Sequence, residues 1–257
     1  MRKSILTAVG LFAACQAHAI IYDVTVDGSD AIFLAGRTDL TIPDASDSWG
    51  GTDDKLLRHS SATPEETRET LPPSVVVTGG DVVRAADPAV GGINFFRGFG
   101  PSFFGPSGNG VAGSDLDSLG GISGYKGPEG PLTGLFLDAN VPNGTAPAAL
   151  DFSLSGLGTD FATLFPLLGQ VFYIGDGVTS GGVFQEFIAP TGATRLFLGI
   201  PDGWGFDGAP GYYDDNDGSY RVRVGVNEIP SVPDSGSTIA LLGFGFLAMI
   251  VARSRRN

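Results

Sequence analysis

The sequence predicts an all-β fold, a β-sandwich of mainly antiparallel strands, and three observations lead there. Forty glycines and 17 prolines punctuate 257 residues of which only 17% are charged. That composition belongs to many short strands and turns rather than to helices. The apolar runs are short, and several alternate polar with apolar residues, the period of a half-buried strand. The stretch between two apolar terminal segments, residues 20–229, has the length of one all-β domain.

The N-terminal segment is a predicted signal helix. Met1-Arg2-Lys3 is its positive end, Ile5 to Ala14 its apolar centre, and Ala17-His18-Ala19 a small-residue cleavage site. That is the form of a secretory signal peptide cut after Ala19. Phe12-Ala13-Ala14-Cys15 is a weaker match to a lipoprotein box. Cys15 is the chain's one cysteine, so a product beginning at Ile20 carries none. Such a domain keeps its fold in an oxidising compartment by core burial or by metal, not by disulfides.

Ile20 to Leu34 reads as two strands around a turn at Asp27-Gly28. Residues 43–72 are rich in Asp, Ser, Thr and Glu and read as an exposed loop; Thr63-Pro64-Glu65-Glu66 within it has the form of a helix start. Ser74 to Ala86 is a strand, a Gly79-Gly80 turn and a second strand. Phe95, Phe96, Phe103 and Phe104 follow in a Gly-rich stretch, either as core plugs or as a stacking platform for a sugar. Further strands fall at Leu132–Leu137, Val171–Ile174 and Val183–Ile188. Asp151 to Leu168 is long enough for a helix, but Gly156 and Gly158 argue for turns.

Leu196 to Ile200 is an apolar run of buried-strand type, and Ser219 to Val224 alternates strictly. Between them residues 201–218 hold five Asp, one Asn, five Gly and four aromatics. A loop this long between two strands is a functional candidate. Its Asp and Asn side chains offer hard oxygen ligands, the set that calcium takes in irregular geometry. The same residues also make ordinary solvated turns, so the composition leaves both readings open.

The segment LFLGIPDGWGFDGAPGYYDDNDGSYRVRV resembles the C-terminal calcium loop of the bacterial galactose-binding, calcium-dependent lectin family. The resemblance lies in the Asp202 at a strand end, the Pro210-Gly211 turn, and Asp215-Asn216-Asp217-Gly218-Ser219-Tyr220 before the last strand. The preceding VFQEFIAPTGATRLFLG resembles the strands and turn that lead into that loop. The resemblance implies calcium held by side-chain oxygens of Asp202, Asp215 and Asn216 and by the carbonyl of Tyr212. Asp202 lies 13 positions before Asp215, a longer loop than the lectins have, so Asp207 competes for the first ligand position. Trp204, Phe206 and Tyr213 flank the expected ion and are the candidate carbohydrate-binding residues. The lectins also hold sugar with a His and a Gln from an earlier loop; His59 does not align with that loop.

Residues 230–257 form a separate unit. Val232-Pro233-Asp234-Ser235-Gly236 precedes the apolar segment 238–252 and the cluster Arg253-Ser254-Arg255-Arg256. Fifteen residues of helix span about 22 Å, short of a ~30 Å hydrocarbon core but within reach of a thin bilayer. The basic end would stay on the cytoplasmic side of this transmembrane helix. Motif, apolar helix and arginines together resemble the VPDSG form of the PEP-CTERM sorting signals. The resemblance implies an exosortase-type sorting enzyme as partner, transient inner-membrane anchoring, and release to the cell envelope, surface or medium.

Residues 20–233 carry ten Lys and Arg against twenty-seven Asp and Glu, a formal charge of −17. Such a surface repels phosphate backbones and excludes nucleic acid as a partner. With one His and no Cys after residue 19, neither a Cys/His dyad nor a Ser-His-Asp triad can form, and the chain is not expected to be an enzyme. The expectation is an exported protein that binds calcium and a glycan or polysaccharide. The alternative is a structural surface or matrix protein in which calcium only stabilises the fold.

Overall fold

The computed structural model describes residues 19–38, 69–96, 103–213 and 216–228. The signal peptide up to residue 18, most of the 43–72 loop, Asp215 and the whole sorting unit with its transmembrane segment lie outside them. The regular structure of the described residues is almost entirely sheet, with 3-10 turns and no α-helix among them.

Among the described residues, twelve strands fall into three sheets. In chain order they are β1 (Ile20–Asp27), β2 (Ser74–Val76), β3 (Val82–Asn94), β4 (Asn109–Leu116), β5 (Tyr125–Glu129) and β6 (Thr133–Leu137). Then come β7 (Thr163–Leu164), β8 (Val171–Tyr173), β9 (Glu186–Ile188), β10 (Arg195–Gly199), β11 (Asp207–Gly208) and β12 (Asp217–Val226). The first sheet runs β1-β12-β3-β9-β7, the second β2-β10-β6-β8, the third β11-β4-β5. Pairing is antiparallel except at β7–β9 and β4–β11.

The alternation in β12 does what its sequence asks. Tyr220, Val222 and Val224 turn into the core, while Arg221 and Arg223 face solvent. On the outer face Arg223 pairs with Asp23 of β1 at 3.1 Å and with Asp87 of β3. Such exposed pairs contribute little, about 0–1 kcal/mol. Apolar burial carries more. β6 is buried at every residue because β10 and β8 flank it and both its faces are covered. Phe172 of β8 stacks on Phe187 of β9 at 5.1 Å, joining the first and second sheets through one apolar cluster. Where β3 crosses β12 the backbones nearly touch. A Cβ on Gly91 would meet the Ser219 carbonyl oxygen at 2.2 Å, and one on Gly218 the Gly92 oxygen at 2.2 Å. Both residues hold positive φ, so glycine is required twice over.

Three expectations change. Ile32–Leu34 is not a second strand but a buried 3-10 turn, entered by a bridge from Ala31 to Ile200. A short unbroken apolar run has no period with which to choose between the two. The Asp27-Gly28 hairpin is replaced by a wider turn, in which Asp30 donates its backbone N–H to Asp27 and its carboxylate accepts the Asp27 N–H at 2.8 Å. The end of the stretch read as exposed loop is drawn inward: Glu69 is buried and Thr70 bridges Asp30. The Thr70 hydroxyl donates to the Asp30 carboxylate at 2.6 Å.

Candidate functional site

β10 ends at Gly199 and β12 begins at Asp217. The segment between them folds back on the domain. Ile200 donates its N–H to the Asp30 carbonyl and accepts one from Ile32. Trp204–Phe206 form a 3-10 turn, Asp207–Gly208 form β11 beside β4, and Gly203 bridges Pro210. Phe206 and Tyr212 hold left-handed backbone at φ 59° and 68°. Non-glycine residues in that region are uncommon and collect at functional sites.

The pair most specific to the expected metal is brought together. Asp202 is 4% exposed and Asn216 2%. The Asn216 amide donates to the Asp202 carboxylate at 2.8 Å and to the Gly28 carbonyl at 2.9 Å. The other Asp202 oxygen accepts the Gly203 N–H at 2.7 Å. The Asn216 Oδ1 is buried with no hydrogen-bond partner. Buried carbonyl oxygens are nearly always satisfied, so this one needs a donor or a cation. The donor set, carboxylate and amide oxygens only, is of the type calcium takes. Among the described residues no three His, Cys, Asp or Glu side chains converge as a metal cluster; Asp214 and Asp215 lie outside them.

The other expected ligands separate. Asp207 is exposed on β11, paired with Asp115 of β4, while Asp202 is buried against Asn216. Of the two competitors for the first ligand position, Asp202 occupies the polar pocket. Tyr212 is half buried, its ring 5.0 Å from that of Trp204.

The three aromatic candidates also divide. Trp204 is 70% exposed. Phe206 is buried, edge-on to Phe95 at 5.5 Å, and floors the site without offering a free face. Tyr213 is fully buried and offers no face to solvent, so it is not available as a carbohydrate-binding residue. Its hydroxyl donates to the Ile200 carbonyl at 2.8 Å and accepts the Asp202 N–H at 3.2 Å. Burial, and then the Asp202 charge, push that phenol well above its usual range, so it stays a neutral donor. Tyr213 is therefore a structural pin between the end of β10 and the acid.

Asp202, Trp204, Phe206 and Tyr212 line one side of a cleft of about 450 Å³, and Phe95, Phe96 and Glu129 line the other. Phe96 was legible as one of four phenylalanines read as core plugs or a stacking platform; Glu129, in the plain run Lys126-Gly127-Pro128-Glu129, carried no signal. Of the four phenylalanines, Phe95 is core, Phe104 packs against it at 5.3 Å, and Phe96 and Phe103 are exposed.

Residues 231–256 match the VPDSG-CTERM motif. That match marks an exported, cell-surface protein, anchored transiently in the membrane, recognised by an exosortase-type enzyme and processed at its sorting signal. No curated protein and no solved structure matches the chain.

Proposed function

We propose that the chain is a surface protein whose β-sandwich domain is a lectin-like, non-enzymatic module: it binds calcium through Asp202 and Asn216 and a glycan in the adjoining aromatic cleft. The observation that carries the reading is the orphaned, buried Oδ1 of Asn216 beside the Asp202 carboxylate, at the margin of a cleft topped by an exposed tryptophan. Asp215 and the Tyr212 carbonyl would complete the oxygen set. Bound calcium would supply coordination positions for two vicinal sugar hydroxyls. The chain's own residues hold the acid in place through Tyr213 and Gly203, tie Asn216 to the Gly28 turn, and expose Trp204 to the C–H face of a sugar ring.

A second reading also has an observation behind it. Asp202 and Asn216 already hydrogen-bond each other, which suits an ion that only stiffens the loop of a structural surface protein. A glycan array probed with the full-length chain, with calcium and with chelator, separates the two. Sugar signal that disappears in chelator supports the lectin-like module. No sugar signal in either condition, with a melting temperature raised by calcium, supports the structural role.

A further inference from the structure

The cleft has a chemistry of its own beyond the ion. Its walls are aromatic, with Trp204 and Phe96 exposed and Tyr212 half buried. Its charged lining consists of two carboxylates, Glu129 and Asp202, and among the described residues no Lys, Arg or His lines it. Glu129 is held by its strand: β5 pairs Glu129 with Asn109 of β4, and the Asn109 amide donates to Glu129 Oε2 at 2.8 Å. One donor leaves most of a carboxylate's acceptor sites open. A volume of about 450 Å³ falls within the roughly 300–1,000 Å³ of small-molecule sites.

Resting on the glycan reading above, we propose that Glu129 is the specificity-determining residue of this cleft: it accepts hydroxyl donors from an uncharged pyranose and turns away uronates and other acidic sugars. Two physical effects combine. Aromatic faces with their negative quadrupole receive the C–H face of a neutral sugar ring, and the carboxylate takes the hydroxyls that point past the rings. Glu129 alone would disfavour a ligand carboxylate about 5 Å away by on the order of a hundredfold at the effective dielectric of a protein surface, and a calcium ion on Asp202 would offset part of that, leaving a smaller net preference. The net charge of −17 between residues 20 and 233 works in the same direction at longer range.

Isothermal titration of the full-length chain in detergent, in low salt with calcium held constant, tests this. The probes are the methyl glycosides of galactose, glucose and mannose against galacturonate and glucuronate. A neutral glycoside should bind at least tenfold tighter than the uronate of the same configuration. Glu129→Gln keeps the shape and the Asn109 contact but removes the charge. It should weaken the neutral sugar about fivefold, the difference between a charged and a neutral acceptor, and narrow the gap to the uronate. Uronates bound as tightly as neutral sugars, or Glu129→Gln leaving both affinities unchanged, would overturn the assignment while leaving the glycan reading in place. No saccharide binding to the wild-type chain would overturn both.

Discussion

Replacing Asn216 with Asp places a second carboxylate where the amide now donates to Asp202 at 2.8 Å. Two unit charges at that separation repel by about 6 kcal/mol at an effective dielectric of 20. The protein has a cheaper route: keeping one of the two acids protonated at pH 7 costs about 4 kcal/mol, three units above an ordinary Asp at 1.36 kcal/mol each. The cheaper route sets the penalty, so the variant should lose about 4 kcal/mol in chelator. For a domain of this size that is a fall in melting temperature of roughly 8–16 °C. Calcium reverses the sign of the effect, since a divalent ion between two carboxylates removes their repulsion and gains charge. Thermal melts of wild type and Asn216→Asp at pH 7, in chelator and in millimolar calcium, should show a far larger calcium-induced rise in the variant. Lowering the pH to 5 in chelator should restore part of the loss. A variant that melts as the wild type does in chelator would refute the contact. A variant destabilised to the same degree with and without calcium would refute the ion.

Trp204→Ala should abolish or strongly weaken glycan binding, yet move stability by no more than about 0.5 kcal/mol, because the side chain is exposed; unfolding of that variant would make Trp204 a core residue. Tyr213→Phe should do the reverse, costing about 1–3 kcal/mol through the unpaired Ile200 carbonyl and Asp202 N–H, with glycan affinity read in parallel. Burial raises the Asp30 carboxyl from 3.8 to about 6, against hydrogen bonds from Thr70 and Asp27. The folded state therefore holds that proton where the unfolded state has released it, so the Asp30 contribution is full below pH 4 and is lost as pH rises to 6, about 3 kcal/mol in all. Denaturant titrations across pH 4–7 should show this slope in wild type and its flattening in Asp30→Asn. Intact-mass analysis of surface-released protein should find the residues from about Val232 onward removed, and full-length chain persisting in membranes of a host that has the sorting enzyme would contradict this.

Strand identity was legible in most segments that alternated or formed an apolar run, Ile32–Leu34 being the exception, and β10 and β12 fall where the pattern put them. What the pattern could not reach was sheet membership. β2 and β3 flank a tight Gly79-Gly80 turn yet belong to different sheets, a choice made by their partners β10 and β12 rather than by the turn. β4 and β5 went unseen because Gly110, Gly113, Gly127 and Pro128 break the periodicity that identifies a strand. In the site, residue type marked Asp202 and Asn216 only as two of several oxygen donors, and the resemblance to the lectin loop singled them out. The fate of neighbouring aromatics was not legible, because Trp204, Phe206 and Tyr213 differ by burial, which depends on contacts with Phe95, just past β3, and Ile200, just past β10. Glu129 reaches the cleft only through the β4–β5 pairing, a long-range fact with no local sequence mark.

The topology of β12 has a mechanical meaning. The candidate site meets this strand at its first residue, Asp217, and the chain leaves it at Val226 toward the sorting tail. A ligand held at one end and a membrane or surface anchor at the other would therefore pull along the strand axis. β12 is flanked on both sides, by β1 from Asp27↔Ser219 to Ile20↔Val226 and by β3 from Asn94↔Asp217 to Val83↔Val226. Between ligand and anchor the covalent backbone of β12 would carry the pull, and only the part of the load entering the cleft through Phe95, next to β3, would load the β3–β12 ladder in shear. Ten residues at about 3.3 Å each set the two ends of β12 some 30 Å apart. Were the proposed ligand captured while the chain is still anchored, traction between them would pass through the strand that is paired on both sides.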